Sequence, residues 1–225
     1  MGVNVHPNVK VTNIAVQPNE QLKVELSDGK SIVTDRVILA TGHSPRIDLA
    51  RRGGLEIDAV NGGIVVNAEL QARTNIYVAG DAASTYDPVL GRRRIEHHDN
   101  ADVSGTLAGM NMHGSKRTYS YIPATWGVVA DADYETVGII DSSLPTVSAW
   151  RKGPVDPVTG KESEDYMKKN EYEEGVVYYM SNNKVVGVAL FNMPDKIDFA
   201  RRMVIYPREF KDTAQLKTQI FFGVE

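Results

Sequence analysis

The sequence TNIYVAGD, residues 74–81, decides the fold. Its apolar run, 76–79, is typical of a strand buried on both faces, and it ends at a glycine and an aspartate. Residues 37–45, VILATGHSP, repeat the pattern, with Gly42 at the exit. Nucleotides usually bind where such strands end. Each segment alone is equally compatible with an ordinary strand-to-loop junction, but the pair predicts an α/β dinucleotide-binding region.

Upstream of residue 74, alternating apolar positions predict a run of short strands. Four of them precede Gly42: Val9–Val16, Leu22–Leu26, Ser31–Val33 and Arg36–Ala40. Asp28-Gly29 is a hairpin signal between the second and the third. The fourth is apolar on both faces, so we expect it inside a sheet that is covered on both sides.

Between Gly42 and residue 115, two helices and two strands are predicted. The helices are Ile47–Arg52 and Asp99–Met112, and the strands are Ile64–Val66 and Ile76–Ala79. The second helix should pack against the sheet through a stripe of small side chains with helical spacing. These are Ala101, Ser104, Gly105, Ala108 and Gly109.

Residues 116–225 predict a different architecture, an antiparallel sheet followed by helices. The strands are Ile122–Val129, Glu135–Asp141, Thr146–Trp150, Gly175–Met180 and Lys184–Phe191, and the helices are Pro194–Met203 and Arg208–Phe221. Residues 151–174 are rich in charge and contain proline and glycine, so they predict a solvated, mobile insertion. The whole chain is therefore expected to be α+β, with an α/β part first.

Composition excludes several classes of site. The chain has 225 residues, a net charge of -4 and no cysteine, which removes disulfides, thiolate zinc sites and cysteine nucleophiles. The charge gives no general attraction to nucleic acid, and no apolar run is long enough for a membrane span. Residues 1–30 are unlike a targeting peptide and enter a strand pattern at once, so we expect a piece of a longer protein.

The adjacent histidines His97 and His98 raise the question of a metal. Adjacent residues point to different faces and no third ligand follows at suitable spacing, so no metal site is predicted. Two histidines that cap or flank a helix start remain an alternative. Gly-x-Gly-x-x-Gly, the loop that holds the pyrophosphate of a dinucleotide, occurs nowhere in the chain.

Four further segments carry a family resemblance: GGLEID at 53–58, VNAELQAR at 66–73, GRRRIEHHD at 91–99 and DSSLPTV at 141–147. Together they closely resemble the apoptosis-inducing factor family, from Gly2 to the C-terminus apart from 151–174. The last segment would not be expected in a generic ferredoxin reductase, the weaker alternative. The resemblance implies three parts: the end of an NAD-binding domain (1–41), the C-terminal segment of a FAD-binding domain (42–115) and a C-terminal dimerisation-type domain (116–225).

The resemblance also implies activity, cofactors and site residues. Family members are FAD-dependent NADH oxidoreductases of mitochondrial respiratory-chain maintenance and caspase-independent cell death. Their FAD contacts match Asp81, His97, His98 and Trp126, and their NAD contacts match Gly42, Glu96, Glu135 and Asn192. His97 would also lie on the nicotinamide side. Two alternatives stay open: Trp126 is a plain core residue, and residues 116–225 form a non-enzymatic pro-apoptotic interaction domain.

Partners and location are implied in the same way. A homodimer that forms on flavin reduction would use positions that match Glu56, Arg73 and Arg92. Arg92-Arg93-Arg94 matches a segment associated with nuclear import, although Val89-Leu90 stands where a basic residue is expected upstream. The family is mitochondrial, in the intermembrane space and at the inner membrane, with translocation to the nucleus. DNA binding, also attributed to the family, has little support in a chain of charge -4.

Overall fold

The computed structural model describes residues 2–129, 132–151 and 174–222. They fall into an N-terminal unit, residues 1–44, and a C-terminal unit, residues 45–225. The insertion predicted at 151–174 lies outside the described residues except at its two ends.

The N-terminal unit is a three-stranded antiparallel sheet of β1 (Val11–Val16), β2 (Leu22–Leu26) and β3 (Ser31–Thr34), in that order. Gly29, at φ +83°, forms the hairpin between β2 and β3 and donates to the Leu26 carbonyl at 3.0 Å. Three of the four predicted strands are therefore confirmed. Val24 and Leu26 are the buried apolar residues of this unit.

The prediction of a fourth, buried strand at 36–40 is wrong. The segment is not a strand, and the side chains of Ile38 and Leu39 are 91% and 73% exposed. A strand that is apolar on both faces stays ordered when it has hydrogen-bonded neighbours and covered faces. Within residues 2–44, none of the three strands pairs with this segment.

The first part of the C-terminal unit contains two helices and five short strands. They are α1 (Asp48–Arg52), β4 (Ile64–Val65), β5 (Gln71–Arg73), β6 (Ile76–Tyr77), β7 (Ala83–Asp87), β8 (Gly91–Arg93) and α2 (His98–Met112). β4 pairs parallel with β7, β7 pairs antiparallel with β8, and β5 and β6 form a separate pair. A 3₁₀ turn over Gly80–Ala82 separates β6 from β7. The β7–β8 hairpin was not predicted.

Helix α2 begins where predicted, but the predicted buried stripe is only partly right. Ser104 and Ala108 are buried, whereas Ala101, Gly105 and Gly109 are exposed. The buried face is completed by two asparagines, Asn100 and Asn111, whose amides hydrogen-bond to loops. Asn111 Nδ2 donates to the carbonyls of residues 69 and 117 at 2.9 and 2.8 Å. Because these hydrogen bonds satisfy the two amides, the asparagines can be buried on the inner face of α2. The spacing of small residues in the sequence did not predict this.

The second part of the C-terminal unit is a five-stranded antiparallel sheet. Its strands are β9 (Ala124–Val129), β10 (Ala132–Gly138), β11 (Thr146–Arg151), β12 (Glu174–Ser181) and β13 (Lys184–Phe191), in the order β11-β12-β13-β10-β9. All five predicted strands are confirmed, with shifted ends. α3 (Ile197–Ile205) and α4 (Leu216–Phe222) follow. The helix predicted at 208–221 is shorter because Glu209 forms an antiparallel bridge with Lys184, and Phe210 N–H donates to the Asn183 carbonyl at 2.8 Å instead of continuing a helix.

This sheet and its helices build the main core. Val176, Tyr178, Val188 and Val204 are fully buried in it. At one point the backbones approach so closely that only glycine fits. Gly138 and Gly187 are cross-strand partners, and a Cβ on Gly187 would lie 2.0 Å from the Ile139 carbonyl oxygen.

None of the helices found among the described residues combines the length and apolar character needed to cross a membrane.

Candidate functional site

The start of α2 is organised by His97, the residue before the helix. His97 is extended, at φ -161°, and its Nδ1 lies 3.3 Å from the Asp99 backbone nitrogen, in position to cap the helix. First-turn amides of a helix point outward with a positive dipole end, which suits a negatively charged group. His98 is exposed at the first position of the helix. The structure thus places both histidines at a helix N-terminus.

His97 also joins α2 to strand β9. Its Nε2 lies 3.3 Å from the backbone nitrogen of Trp126. The imidazole and indole rings meet edge to face, with centroids 4.3 Å apart. A neutral imidazole has one acceptor nitrogen, so the tautomer decides whether Asp99 or Trp126 donates to it. Trp126 is 48% exposed, so it is not a plain core residue.

Strand pairing then brings Trp126 beside Glu135. The two are cross-strand partners of β9 and β10, and Asn192, just after β13, lies along the other side of β10. All three line one groove of about 480 Å³. The structure therefore assembles three of the predicted site residues, from β9, β10 and the position that follows β13.

Sequence reasoning missed the other polar residues of this groove. Asp133 donates its N–H to Asn192 Oδ1 at 2.8 Å and accepts the Asn192 N–H through its own carbonyl at 2.9 Å. Asp195 lies in the same lining. Burial, and then the negative charge of Asp195, raise the pKa of Glu135 above its ordinary range. Asn-x-x-Asp after a strand was the only sequence signal for these contacts.

A polar network behind the groove fixes the start of α2. Both carboxylate oxygens of Asp99 accept from the Tyr121 hydroxyl, at 3.2 and 3.0 Å, and Oδ2 also accepts from the Ala124 N–H at 2.9 Å. Arg201 of α3 donates to the same hydroxyl at 3.2 Å and to the Ile122 carbonyl at 3.0 Å. The network ties α2, β9 and α3 together, and sequence reasoning missed it because its members are far apart along the chain.

The Gly80-Asp81 turn lies against α2. Gly80 has φ +65° and donates its N–H to Ser104 Oγ at 2.9 Å, so glycine lets the turn approach the helix. The carboxylate of Asp81 is exposed, while its carbonyl accepts from Arg94 at 3.2 Å. Asp81 does not line the groove of Trp126.

Two other predicted nucleotide contacts lie outside that groove. Glu96 is exposed and forms an ion pair with Arg94. Gly42 belongs to the N-terminal unit, at φ +90°, with open space where a Cβ would stand.

The predicted dimer contacts share one open groove. Glu56, Arg73 and Arg92 line a surface depression of about 400 Å³. Both arginines are also held within the fold: Arg73 donates to the carbonyls of Gly53 and Gly54 at 3.0 and 2.6 Å, and Arg92 to the carbonyl of residue 84 at 2.6 Å.

The basic run 92–94 is not a continuous exposed strip. Arg93 is half-buried and donates to the Gly138 carbonyl at 3.4 Å, and burial lowers its pKa. Arg94, also half-buried, donates Nε to the Asn61 carbonyl at 2.8 Å. Among the described residues, no group of three histidine, aspartate or glutamate side chains is close enough to hold a metal ion.

Comparison with known proteins identifies the family. Residues 1–105 match the family model of pyridine nucleotide-disulphide oxidoreductases, and 108–162 and 152–206 match the C-terminal, mitochondrion-associated model of apoptosis-inducing factor. This chain belongs to the apoptosis-inducing factor family. It is 41% identical over 228 residues to apoptosis-inducing factor 1 of Dictyostelium discoideum. Identity to the putative apoptosis-inducing factor 1 of Drosophila melanogaster is 38% over 243 residues.

This chain spans less than half the length of those two relatives. The two alignments cover 98% and 94% of this chain but 41% and 33% of the relatives. Among solved structures, the ferredoxin reductase for the CYP199A2 system of Rhodopseudomonas palustris superposes with a TM-score of 0.71 at 22% identity. That match covers 89% of this chain and 45% of the reductase. The likeness confirms the predicted fold class.

Proposed function

We propose that the protein contributes one side of the cofactor site of a FAD-dependent NADH oxidoreductase. The observation that carries the proposal is the groove in which Trp126, Glu135 and Asn192 meet. They come from β9, β10 and the position after β13, in a sheet that follows part of a dinucleotide-binding region along the chain. The chain also belongs to an oxidoreductase family. A groove at the junction of such elements is the usual place for a small ligand.

The residues at the start of α2 fit a flavin. When bound, FAD supplies an acceptor for the hydride of NADH. His97 and His98 would lie beside it, and the outward amides and positive dipole end of α2 would stabilise negative charge there. The exposed Asp81 carboxylate can accept hydrogen bonds from hydroxyl groups of the cofactor.

The groove fits the nicotinamide side. The half-exposed indole of Trp126 offers a flat surface for a ring, and Glu135 and Asn192 add a carboxyl and an amide that can recognise a carboxamide. Burial raises the pKa of Glu135, so this carboxyl keeps its proton to a higher pH than usual. Glu96 and Gly42 would complete the contacts to NADH from elsewhere in the chain.

The wider role is proposed from the family. Relatives named as mitochondrial support a mitochondrial location. The family resemblance extends this proposal to the intermembrane space and the inner membrane, and to roles in respiratory-chain maintenance and caspase-independent cell death. Homodimerisation on flavin reduction would use Glu56, Arg73 and Arg92. These three residues line the same surface groove. Translocation to the nucleus, with Arg92–Arg94 as its signal, and binding to DNA also belong to this proposal.

A visible spectrum of the purified chain tests the proposal. A flavin band that bleaches on addition of NADH is the expected result. In Trp126→Ala, the band should persist while its bleaching by NADH slows, and the matched variant Trp150→Phe should behave as the parent. A colourless but folded chain would reject the oxidoreductase function for this polypeptide.

One observation favours a second candidate. The chain has no Gly-x-Gly-x-x-Gly, and all members of the main core except Leu90 lie within residues 122–220. A non-enzymatic interaction domain would therefore fold without flavin. In the same experiment it would give a cooperative unfolding transition, no visible band, and no response to added FAD.

A further inference from the structure

A second cavity lies beside α3, away from the groove of Trp126. We call it the α3 cavity; its volume is about 250 Å³. One wall is a helical face with spacing i, i+3, i+4, i+7, made by Phe199, Arg202, Met203 and, just after the helix ends, Tyr206. Val204, on the adjacent face of α3, is fully buried in the main core, and Phe199 and Met203 pack against the edge of that core. The cavity therefore uses a face of α3 that the sheet does not cover completely.

The second wall comes from the segment after α3 and from α4. It consists of Arg208, Phe210 and Gln219. Phe210 and Gln219 are buried, and Gln219 Oε1 accepts a hydrogen bond from Arg208 Nη2. That bond and its ring contact fix the direction of the Arg208 guanidinium, whose central carbon lies 4.9 Å from the Phe210 centroid.

Two arginines thus converge on a small, mostly apolar cavity. Arg202 lies over the Phe199 ring at 5.8 Å, as Arg208 does over Phe210. In the described part of the chain, neither guanidinium has a carboxylate within ion-pair distance. Both arginines are exposed, so their guanidinium groups are open to an external anion.

The lining specifies the kind of anion. Guanidinium groups bind carboxylates through paired, charge-assisted hydrogen bonds, and arginines stacked on rings lose little freedom when they do so. The walls of Phe199, Met203 and Phe210 would gain nothing from a small inorganic ion, but they would bury an aromatic or alkyl body. At about 250 Å³ the cavity is too small for a nucleotide, because drug-sized ligands need roughly 300–1,000 Å³.

We propose that the α3 cavity binds a small monocarboxylate with an aromatic or alkyl body, its carboxylate held by Arg202 and Arg208. The site shares no residue with the groove of Trp126, so it stands whether or not the chain binds flavin.

Calorimetric titration of the full chain with 2-naphthoate, compared with the neutral 2-naphthamide, tests the proposal. The acid should bind at least about tenfold more tightly than the amide. The double variant Arg202→Gln/Arg208→Gln should weaken binding of the acid by about tenfold or more and leave binding of the amide unchanged. Arg52→Gln, an exposed arginine at the end of α1, is the matched control and should bind the acid as the parent does.

A cavity-filling variant gives an independent readout. Met203→Trp should abolish binding of both probes while circular dichroism shows that the variant remains folded. Equal affinity for acid and amide, an unaffected double variant, or no detectable binding at millimolar 2-naphthoate would each overturn the proposal. A peptide with a free C-terminal phenylalanine that bound more tightly than 2-naphthoate would overturn the assignment to a small molecule.

Discussion

The N-terminal sheet and the five-stranded C-terminal sheet are both antiparallel sheets of short strands, yet they differ in what they bury. In the first, Val11, Val16 and Val33 are 55%, 75% and 51% exposed. In the second, Val176 and Val188 are fully buried. The C-terminal sheet has α3 and α4 in its core, whereas residues 2–44 contain no helix. Alternating apolar side chains are therefore enough to form a strand, but a buried core also requires a layer of helices packed on the sheet.

Matched leucines give the largest expected effect. Leu190→Ala removes a buried side chain of β13 and should lower the free energy of unfolding by about 3 kcal/mol. Leu26→Ala in β2 should leave that transition unchanged and speed amide exchange at residues 11–34. Urea unfolding followed by tryptophan fluorescence checks this, because both tryptophans, Trp126 and Trp150, lie in the C-terminal unit. An equal loss in both variants would mean that the two regions unfold together.

Matched glycines give the next effect. Gly187→Ala places a Cβ against the Ile139 carbonyl, and overpacking of this kind costs about 1–3 kcal/mol. Gly29→Ala meets no neighbouring atom but must hold φ +83°, a local cost of about 1 kcal/mol in the N-terminal hairpin. The fluorescence transition should move for Gly187→Ala alone. If it stays in place, the backbones of β10 and β13 can separate at this pair.

Tyr121→Phe shows what polar contacts add to the C-terminal region. It removes a hydroxyl that joins Asp99 to Arg201 and should cost about 1 kcal/mol at pH 7, measured by urea unfolding. Burial raises the pKa of Tyr121, so above about pH 10 the unfolded chain loses this proton first and the folded state is destabilised. The phenylalanine variant should lack that part of the alkaline loss. Tyr86→Phe, an exposed tyrosine of β7, is the control and should change neither value.

Glu135→Gln has the smallest expected effect. Burial raises the pKa of Glu135, so the folded state keeps this proton to a higher pH than the unfolded state, and stability falls as pH rises above about 4.3. The variant should therefore unfold about 1–2 °C higher at pH 7 and equal to the parent at pH 3, in differential scanning calorimetry. Glu209→Gln, an exposed glutamate, should show no such difference. A lower midpoint for Glu135→Gln at pH 7 would mean that the ionised carboxylate is stabilised by a neighbour.

Local sequence signals recovered most elements, and the errors have physical causes. Asp28-Gly29 located its hairpin because a tight turn is a local property. The strand predicted at 36–40 was wrong because the burial of a strand depends on neighbouring strands and helices, which the sequence of the strand does not reveal. The missed β7–β8 hairpin had a signal: Asp87 Oδ1 accepts from the N–H groups of Val89 and Leu90 at 2.7 and 2.8 Å, an Asx-type turn before Gly91.

The candidate site depended on the fold more than on spacing. Trp126, Glu135 and Asn192 were proposed from family resemblance, and strand register brought them to one groove. Asp99 and Arg201 were missed because they meet through Tyr121, and no periodicity in the sequence connects them. Polar networks between distant elements are properties of packing, so a single sequence does not reveal them.

Arg73 has a consequence for any test of dimer formation. Helix α1 has five residues, too few to be stable alone, and Arg73 binds the carbonyls that follow it. A substitution there to probe a partner's surface would also release the end of α1, so lost association would have two causes. Glu56 makes no such side-chain bond among the described contacts, so its substitution would test association without disturbing the helix.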